Sequence, residues 1–187
     1  MDFTNKYVLV TGASRGIGKA TAMAFAKKGA KVGINYRSND EVAQQTLAEL
    51  AGDGHKLFKK DISQKEETEA LINDFVKEFG RLDVLVNNAG ISIFHEIEKV
   101  DFDHWTNAWE KTFETNLFAV ANLCYWGAKA MMKTGGGHIV SVSSRGAFRG
   151  EPTKPAYGAS KAALNSMSQS LAKKLAPHNI YVGVVAP

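Results

Sequence analysis

The chain has 187 residues, 44% of them hydrophobic and 22% charged, enough apolar content for one core and too much for a disordered segment. Its formal charge of +4 does not single out a polyanion partner, because the lysines fall in scattered pairs such as Lys27-Lys28, Lys59-Lys60 and Lys173-Lys174, which read as solvated element ends. Cys124 is the lone cysteine, so an intrachain disulfide is excluded, and the five histidines form no ligand-spaced metal cluster. No stretch is long enough to span a bilayer, and a soluble cytoplasmic protein with no membrane or nucleic-acid partner is expected.

Short β-rich runs alternate with helical patterns from end to end. The first strand, Tyr7 to Thr11, leads into Gly12-x-x-x-Gly16-x-Gly18 and a helix over 16–28. Strands at Lys31 to Tyr36 and His55 to Lys59 are followed by helices over 40–51 and 64–79. A fourth strand, Leu82 to Val86, precedes a long helical pattern over 105–133 and the flexible turn Gly135-Gly136-Gly137. The chain continues with a strand from His138 to Ser143, a helix over 157–176 and a last strand from Tyr181 to Val185. Right-handed crossovers between such strands make an α/β fold: a doubly wound, Rossmann-like parallel sheet in three α/β/α layers, with its ligand crevice beyond the strands' carboxyl ends. One domain over residues 1–187 is expected.

The chemistry-bearing residues fall at those carboxyl ends. Glycines at 12, 16 and 18 permit a tight turn, and the backbone of Gly12, Ser14, Arg15, Gly16, Ile17 and Gly18 then approaches a pyrophosphate at a helix N-terminus. The turn lacks the Gly-Lys-Ser/Thr ending of a nucleoside-triphosphate loop, which disfavours a phosphotransferase. After the second strand, where an acid would hold the ribose of NAD, stand Asn35-Tyr36-Arg37-Ser38. Arg37, with Arg15, suits the extra phosphate of NADP(H), leaving NAD(H) possible; both are equally read as ordinary exposed charges. Asp61, followed by Ile62, is placed either to accept from an adenine amino group or to cap the next helix.

Tyr157 and Lys161 stand one helical turn apart, thirteen residues after Ser144. The spacing puts both side chains on one helix face, where an ammonium favours the ionised form of a phenol whose ordinary pKa is about 10. Tyr125 and Lys129 share that spacing without such surroundings. Ser143 adjoins Ser144, and either hydroxyl can cap a turn. Asn116 interrupts a helix, where a buried amide needs partners, a packing neighbour or an ordered water.

With Asn87-Asn88-Ala89-Gly90 after the fourth strand, these motifs make the whole chain resemble the short-chain dehydrogenase/reductase family. The likeness is to single-domain members similar to bacterial 3-oxoacyl-[acyl-carrier-protein] reductase and the related sugar and steroid dehydrogenases. Extended relatives carry Gly-x-x-Gly-x-x-Gly instead. The resemblance implies an NAD(P)-dependent enzyme acting on a small carbonyl or alcohol. Tyr157 is implied as acid/base, Ser144 as the carbonyl-orienting hydroxyl, Lys161 as ribose binder and Asn116 as a helper through a water relay. Asn88, Ala89 and Gly90 would line the adenosine side. With Ser144 as the hydroxyl, the loop from Arg145 to Pro152 lies beside the substrate, where Phe148 or Arg149 either selects it or is an exposed loop residue without such a role.

A homodimer or homotetramer is also expected, as in the family, built on helices whose Phe118, Leu123, Trp126, Met131, Leu164, Met167 and Leu171 exceed the needs of one sheet face, unless these residues only fill the monomer core. Two departures accompany the resemblance. The segment holding Phe94-His95-Glu96-Ile97-Glu98-Lys99 is longer than in the acyl-carrier reductases. The family pattern also continues past Pro187 with a substrate loop, a last helix and a last strand, so an exposed sixth strand and weak or absent turnover are expected. A catalytically silent nucleotide-binding or scaffold protein, or an inactive fragment, are the alternatives; joint retention of Asn116, Ser144, Tyr157 and Lys161 opposes the silent one.

Overall fold

Apolar residues in succession along the first strand send Val8 and Val10 to one face and Leu9 to the other, and none of the three has any exposure. A strand buried on both faces belongs inside a sheet covered by helices on both sides. The computed structural model describes residues 2–187, leaving Met1 outside the described residues, and has this architecture. Its strands are β1 (Tyr7–Val10), β2 (Lys31–Tyr36), β3 (Lys56–Lys59), β4 (Val84–Asn87), β5 (Gly137–Val142) and β6 (Ile180–Val185). They form one parallel sheet in the order β3-β2-β1-β4-β5-β6.

On one face Leu9, Leu85, Ile139 and Ile180 pack against α3 (Lys65–Phe79), α5 (Ala119–Met132) and α7 (Pro155–Leu175). On the other, Val8, Val10, Val32, Ile34, Val84 and Val86 pack against α1 (Gly16–Lys27) and the end of α2 (Asp40–Ala48). Each fully buried aliphatic side chain contributes about 1.5–3 kcal/mol. The chain builds outward from β1 through β2 to β3, then returns to lay β4 on the other side of β1. The strand order therefore reverses between β1 and β4, and a ligand crevice opens where their carboxyl ends part. β6 lies at the outer edge with β5 beside it, and Val184 and Val185 are exposed.

Element ends differ from the sequence expectation by at most three residues, and three differences have substance. The pattern over 105–133 is three segments: α4 (Phe102–Phe113), a π-helical stretch Glu114–Phe118, and α5. Asp101 sets the earlier start by accepting the His104 N–H at 2.8 Å. The wider turn carries Asn116, completely buried, to partners at Ile91 and at Ser160 of α7. Second, α7 starts at Pro155, whose missing N–H costs nothing at a first helical position. Third, the loop after β5 contains a single helical turn, α6 (Gly146–Arg149).

The apolar surplus assigned to subunit pairing is mostly core. Leu123, Met131 and Leu164 have no exposure, and Trp126, Met167 and Leu171 lean on the same cluster, leaving Phe118 outside. Cys124 is buried, and burial pushes its thiol up to about 12 against a lowering contact from Asn87, so it behaves as a small inert core side chain. Among the described residues no helix is long and apolar enough to cross a membrane.

Candidate active site

The glycine turn between β1 and α1 is held from three sides. The Thr11 hydroxyl accepts the N–H groups of Asn88 (3.0 Å) and Ala89 (3.1 Å) and donates to the Val86 carbonyl. Asn88 Nδ2 donates to the carbonyls of Thr11 (2.8 Å) and Gly12 (3.1 Å). Asn35 accepts the Gly12 N–H through Oδ1 and donates through Nδ2 to the Phe58 and Lys60 carbonyls, while Thr46 of α2 donates to the Ser14 carbonyl. Sequence patterning assigns no role to Asn35 or Thr11. Their only signal is polarity within, or at the end of, an otherwise buried strand.

Two glycines are demanded by space. At Gly12, with φ +60°, a Cβ would fall 2.9 Å from Ala89 Cα; at Gly18 it would fall 2.5 Å from the Gly12 carbonyl oxygen and 2.9 Å from Ala13 Cα. Gly18→Ala is therefore expected to destabilise the fold by about 1–3 kcal/mol through overpacking of backbone that cannot retreat. Thermal denaturation would show it, and an unchanged Tm would mean that helix and strand can separate.

The first turn of α1 carries no acidic residue, and its N-cap, Arg15, makes no side-chain capping bond. Gly16 and Ile17 are exposed there, so unpaired backbone N–H groups and the positive end of the helix dipole face solvent. This donor set fits a phosphate oxygen, the test a dinucleotide must pass here.

Beyond β2, Arg37 and Arg15 are exposed and belong to no ion pair among the described residues. The nearby Asp40 carboxylate is taken by Lys59 (2.7 Å) and the Tyr36 hydroxyl (2.8 Å), which together hold it below its ordinary range. Asp61 is not the cap of α3, a place held by Gln64. Its Oδ1 accepts from the Ser63 N–H (3.1 Å) and hydroxyl (2.8 Å), closing a turn ahead of the helix. Ile62 is buried in the core, so only its backbone can meet a ligand.

At the ends of β4 and β5 the structure brings together Gly90, Asn116 and Lys161. A Cβ at Gly90 would lie 3.1 Å from Asn116 Oδ1 and 3.5 Å from Lys161 Nζ. Asn116 grips the irregular segment after β4, accepting the Ile91 N–H (2.8 Å) and donating to the Ile91 carbonyl (2.9 Å). Its Nδ2 also donates to Ser160 Oγ (3.2 Å), which donates in turn to the Tyr157 carbonyl (2.8 Å).

Lys161 is only 5% exposed, and Nζ donates to the Val142 carbonyl at 2.8 Å. Burial pushes its ammonium down from 10.5 to about 8. A buried cation satisfied by one carbonyl is what a ligand-binding position looks like. Nζ stands 5.8 Å from the centre of the Tyr157 ring, and Tyr157 is half-buried.

Of the two serines, Ser143 is buried and donates to the Lys161 carbonyl at 3.4 Å, tying β5 to α7. Ser144 is half-buried, and its oxygen accepts the Gly146 N–H (3.1 Å), so its proton is left to donate. The Gly146 carbonyl packs against Gly158, where a Cβ would lie 3.2 Å away, so the Ser144 turn sits against the helix turn bearing Tyr157. Phe148 and Arg149 on α6 are exposed. Tyr125 and Lys129 repeat the 5.8 Å spacing on the outer face of α5, where Tyr125 is 55% exposed.

A cavity of about 560 Å³ opens at the opposite ends of the strands, among Phe3, Lys6, Arg81, Asp83, His138 and Asn179. None of the residues placed at the carboxyl ends lines it. The crevice at the carboxyl ends is the better site because the orphan N–H donors and the buried cation both face it.

The sequence matches the short chain dehydrogenase family over residues 6–187. It is 34% identical over 186 residues to a 3-oxoacyl-[acyl-carrier-protein] reductase of Synechocystis, covering 98% of this chain and 74% of that protein. A crystal structure of a putative short-chain alcohol dehydrogenase from Sinorhizobium meliloti superposes with a TM-score of 0.91 at 34% identity, covering all of this chain and 73% of that one. NAD⁺-bound xylitol dehydrogenase superposes with a TM-score of 0.90 at 27% identity, covering 100% of this chain and 71% of that one. On these matches the chain belongs to the short chain dehydrogenase family of NAD(P)-dependent oxidoreductases, which act on carbonyl and alcohol groups.

Proposed function

We infer that the chain interconverts a small carbonyl compound and a secondary alcohol, with NADP(H) preferred and NAD(H) second. The observation that carries this reading is the buried Lys161 ammonium, without a carboxylate partner among the described residues, set beside Tyr157 and facing Gly90. The glycine turn from Gly12 to Gly18 holds the pyrophosphate, Arg15 and Arg37 the extra phosphate, and Asp61, Ile62, Ala89 and Gly90 flank the adenosine. Asn88 acts on the same side by fixing the turn, since its amide is spent on Thr11 and Gly12.

A bound nicotinamide supplies or accepts the hydride. Tyr157 gives its phenolic proton to the substrate oxygen in reduction and takes it back in oxidation. Ser144 donates a hydrogen bond to the same oxygen as charge develops there. Lys161 holds ribose hydroxyls and keeps a positive charge beside the phenol. Asn116 supports the site through its bonds to Ile91 and Ser160 and, as the resemblance implies, helps through a water relay.

The test is a panel of carbonyl probes, acetoacetyl thioester, ethyl acetoacetate and xylulose, with NADPH oxidation followed by absorbance. The first and last are prompted by the names of the Synechocystis relative and the xylitol dehydrogenase neighbour. Consumption above that of a Tyr157→Phe control supports the reading. NADPH binding without turnover of any probe favours a silent nucleotide-binding protein.

The chain also forms a homodimer or homotetramer in this reading, now through the outer edge of α4 and α5. Phe102, Phe118 and Tyr125 remain 76%, 57% and 55% exposed there, beside Trp109 stacked on Phe113 at 5.6 Å. Light scattering should give a multiple of the 20.3 kDa chain mass, and Phe118→Glu should shift it toward monomer. A monomeric mass for the unmodified folded chain would remove the oligomer from this account.

A further inference from the structure

His95 is completely buried, yet nothing in the chemistry above uses it. Its ring has two polar partners. Nδ1 lies 2.8 Å from the Ile93 carbonyl, an acceptor, and Nε2 lies 3.2 Å from the Ala156 N–H, a donor. Those partners assign a neutral imidazole protonated at Nδ1, with Nε2 as acceptor. The His95 backbone N–H donates in addition to the Thr153 carbonyl at 3.0 Å.

Ala156 belongs to the first turn of α7, which carries Tyr157 as its next residue. That turn lacks a cap of its own: Lys154, at the N-cap, makes no side-chain bond, and Pro155 has no N–H. Tyr157 N–H is satisfied by the Lys154 carbonyl, so the buried Ala156 N–H depends on His95. The imidazole is wedged edge-on against Trp105 (5.3 Å) and Trp109 (6.3 Å) of α4, which fixes its plane. Lys154 completes the closure, its Nζ lying 5.4 Å from the Phe94 ring centre and 5.3 Å from that of Tyr157.

We propose that His95 is a positioning residue: its neutral ring clasps the first turn of α7 to the loop after β4, and so sets Tyr157 against the Gly90–Asn116–Lys161 cluster. A loop swinging free of α7 would leave the fold intact but let the phenol drift from the substrate oxygen. The kinetic consequence rests on Tyr157 being the acid/base; the clasp itself does not.

In the full chain, nitrogen chemical shifts of His95 should report the Nδ1–H tautomer, and the Ala156 amide should exchange slowly with solvent. With ethyl acetoacetate as probe, His95→Leu is expected to lower kcat by about 10- to 100-fold with NADPH affinity within about twofold. His95→Gln, which keeps an acceptor near the Nε2 position, should recover to within about threefold of the unmodified kcat and restore slow exchange at Ala156. An Nε2–H tautomer, rapid exchange at Ala156, or a folded His95→Leu with unchanged kcat would overturn the proposal, as would a Gln variant as impaired as Leu. If His95→Leu does not fold, or the probe is not turned over, tautomer and exchange in the unmodified and Gln proteins decide. Tyr157→Phe run alongside tests the acid/base assignment separately, since its failure leaves the spectroscopic result standing.

Discussion

Tyr157→Phe is expected to lower turnover by a factor of about 10²–10⁴, the contribution of a positioned proton donor, while NADPH affinity changes by less than about twofold. The substitution deletes the transferable proton and keeps the ring, so the contacts of Lys154 and Lys161 with its face survive. Tyr125→Phe is the matched control. It has the same neighbour spacing, 5.8 Å from Lys129 Nζ to the ring centre, but lies on the solvent side of α5 against Trp126. Steady-state kinetics on both variants separates the sites. Equal losses in the two, or full activity in the Tyr157 variant, would sink the assignment.

Arg37→Asp is expected to weaken NADPH binding by about 10- to 100-fold, the worth of a charge-assisted bond to a phosphate replaced by repulsion, and to narrow or reverse the preference over NADH. The fold itself does not choose between the two nucleotides: the xylitol dehydrogenase that superposes with a TM-score of 0.90 holds NAD⁺. In the proposed reading the choice lies at the end of β2, where Arg37 stands in place of an acid and Lys59 and Tyr36 engage Asp40. Because Arg37 is exposed, the preference should also shrink as ionic strength rises. Titrations giving equal affinities for NADPH and NADH in the unmodified protein would refute the role given to Arg37.

Much of this protein is written in local chemistry. The alternation of β-branched runs with helical spacing specifies the parallel sheet, since a strand such as Val8-Leu9-Val10 is apolar on both faces only when both are covered. Gly12 and Gly18 mark the tight turn between β1 and α1, because a Cβ at either would collide with backbone where β1, α1 and the segment after β4 meet. Tyr157 and Lys161 share a face by helical period alone, and context in the chain separates them from Tyr125 and Lys129.

Tertiary structure decided what depends on partners far apart in sequence. Asn35 and Thr11 brace the glycine turn through contacts across β2, β3 and β4, which no local pattern records. Asn116 enters the site because the helix widens to a π turn around it, and its partners, Ile91 and Ser160, are 25 and 44 residues away. Apolar periodicity cannot tell a residue that fills the core from one that meets a second subunit, so Leu123, Met131 and Leu164 read as interface by pattern and prove to be core by burial. His95 gives no local signal in its irregular loop, since its role is set by an N–H donor 61 residues on, brought to it only when α7 folds against that loop.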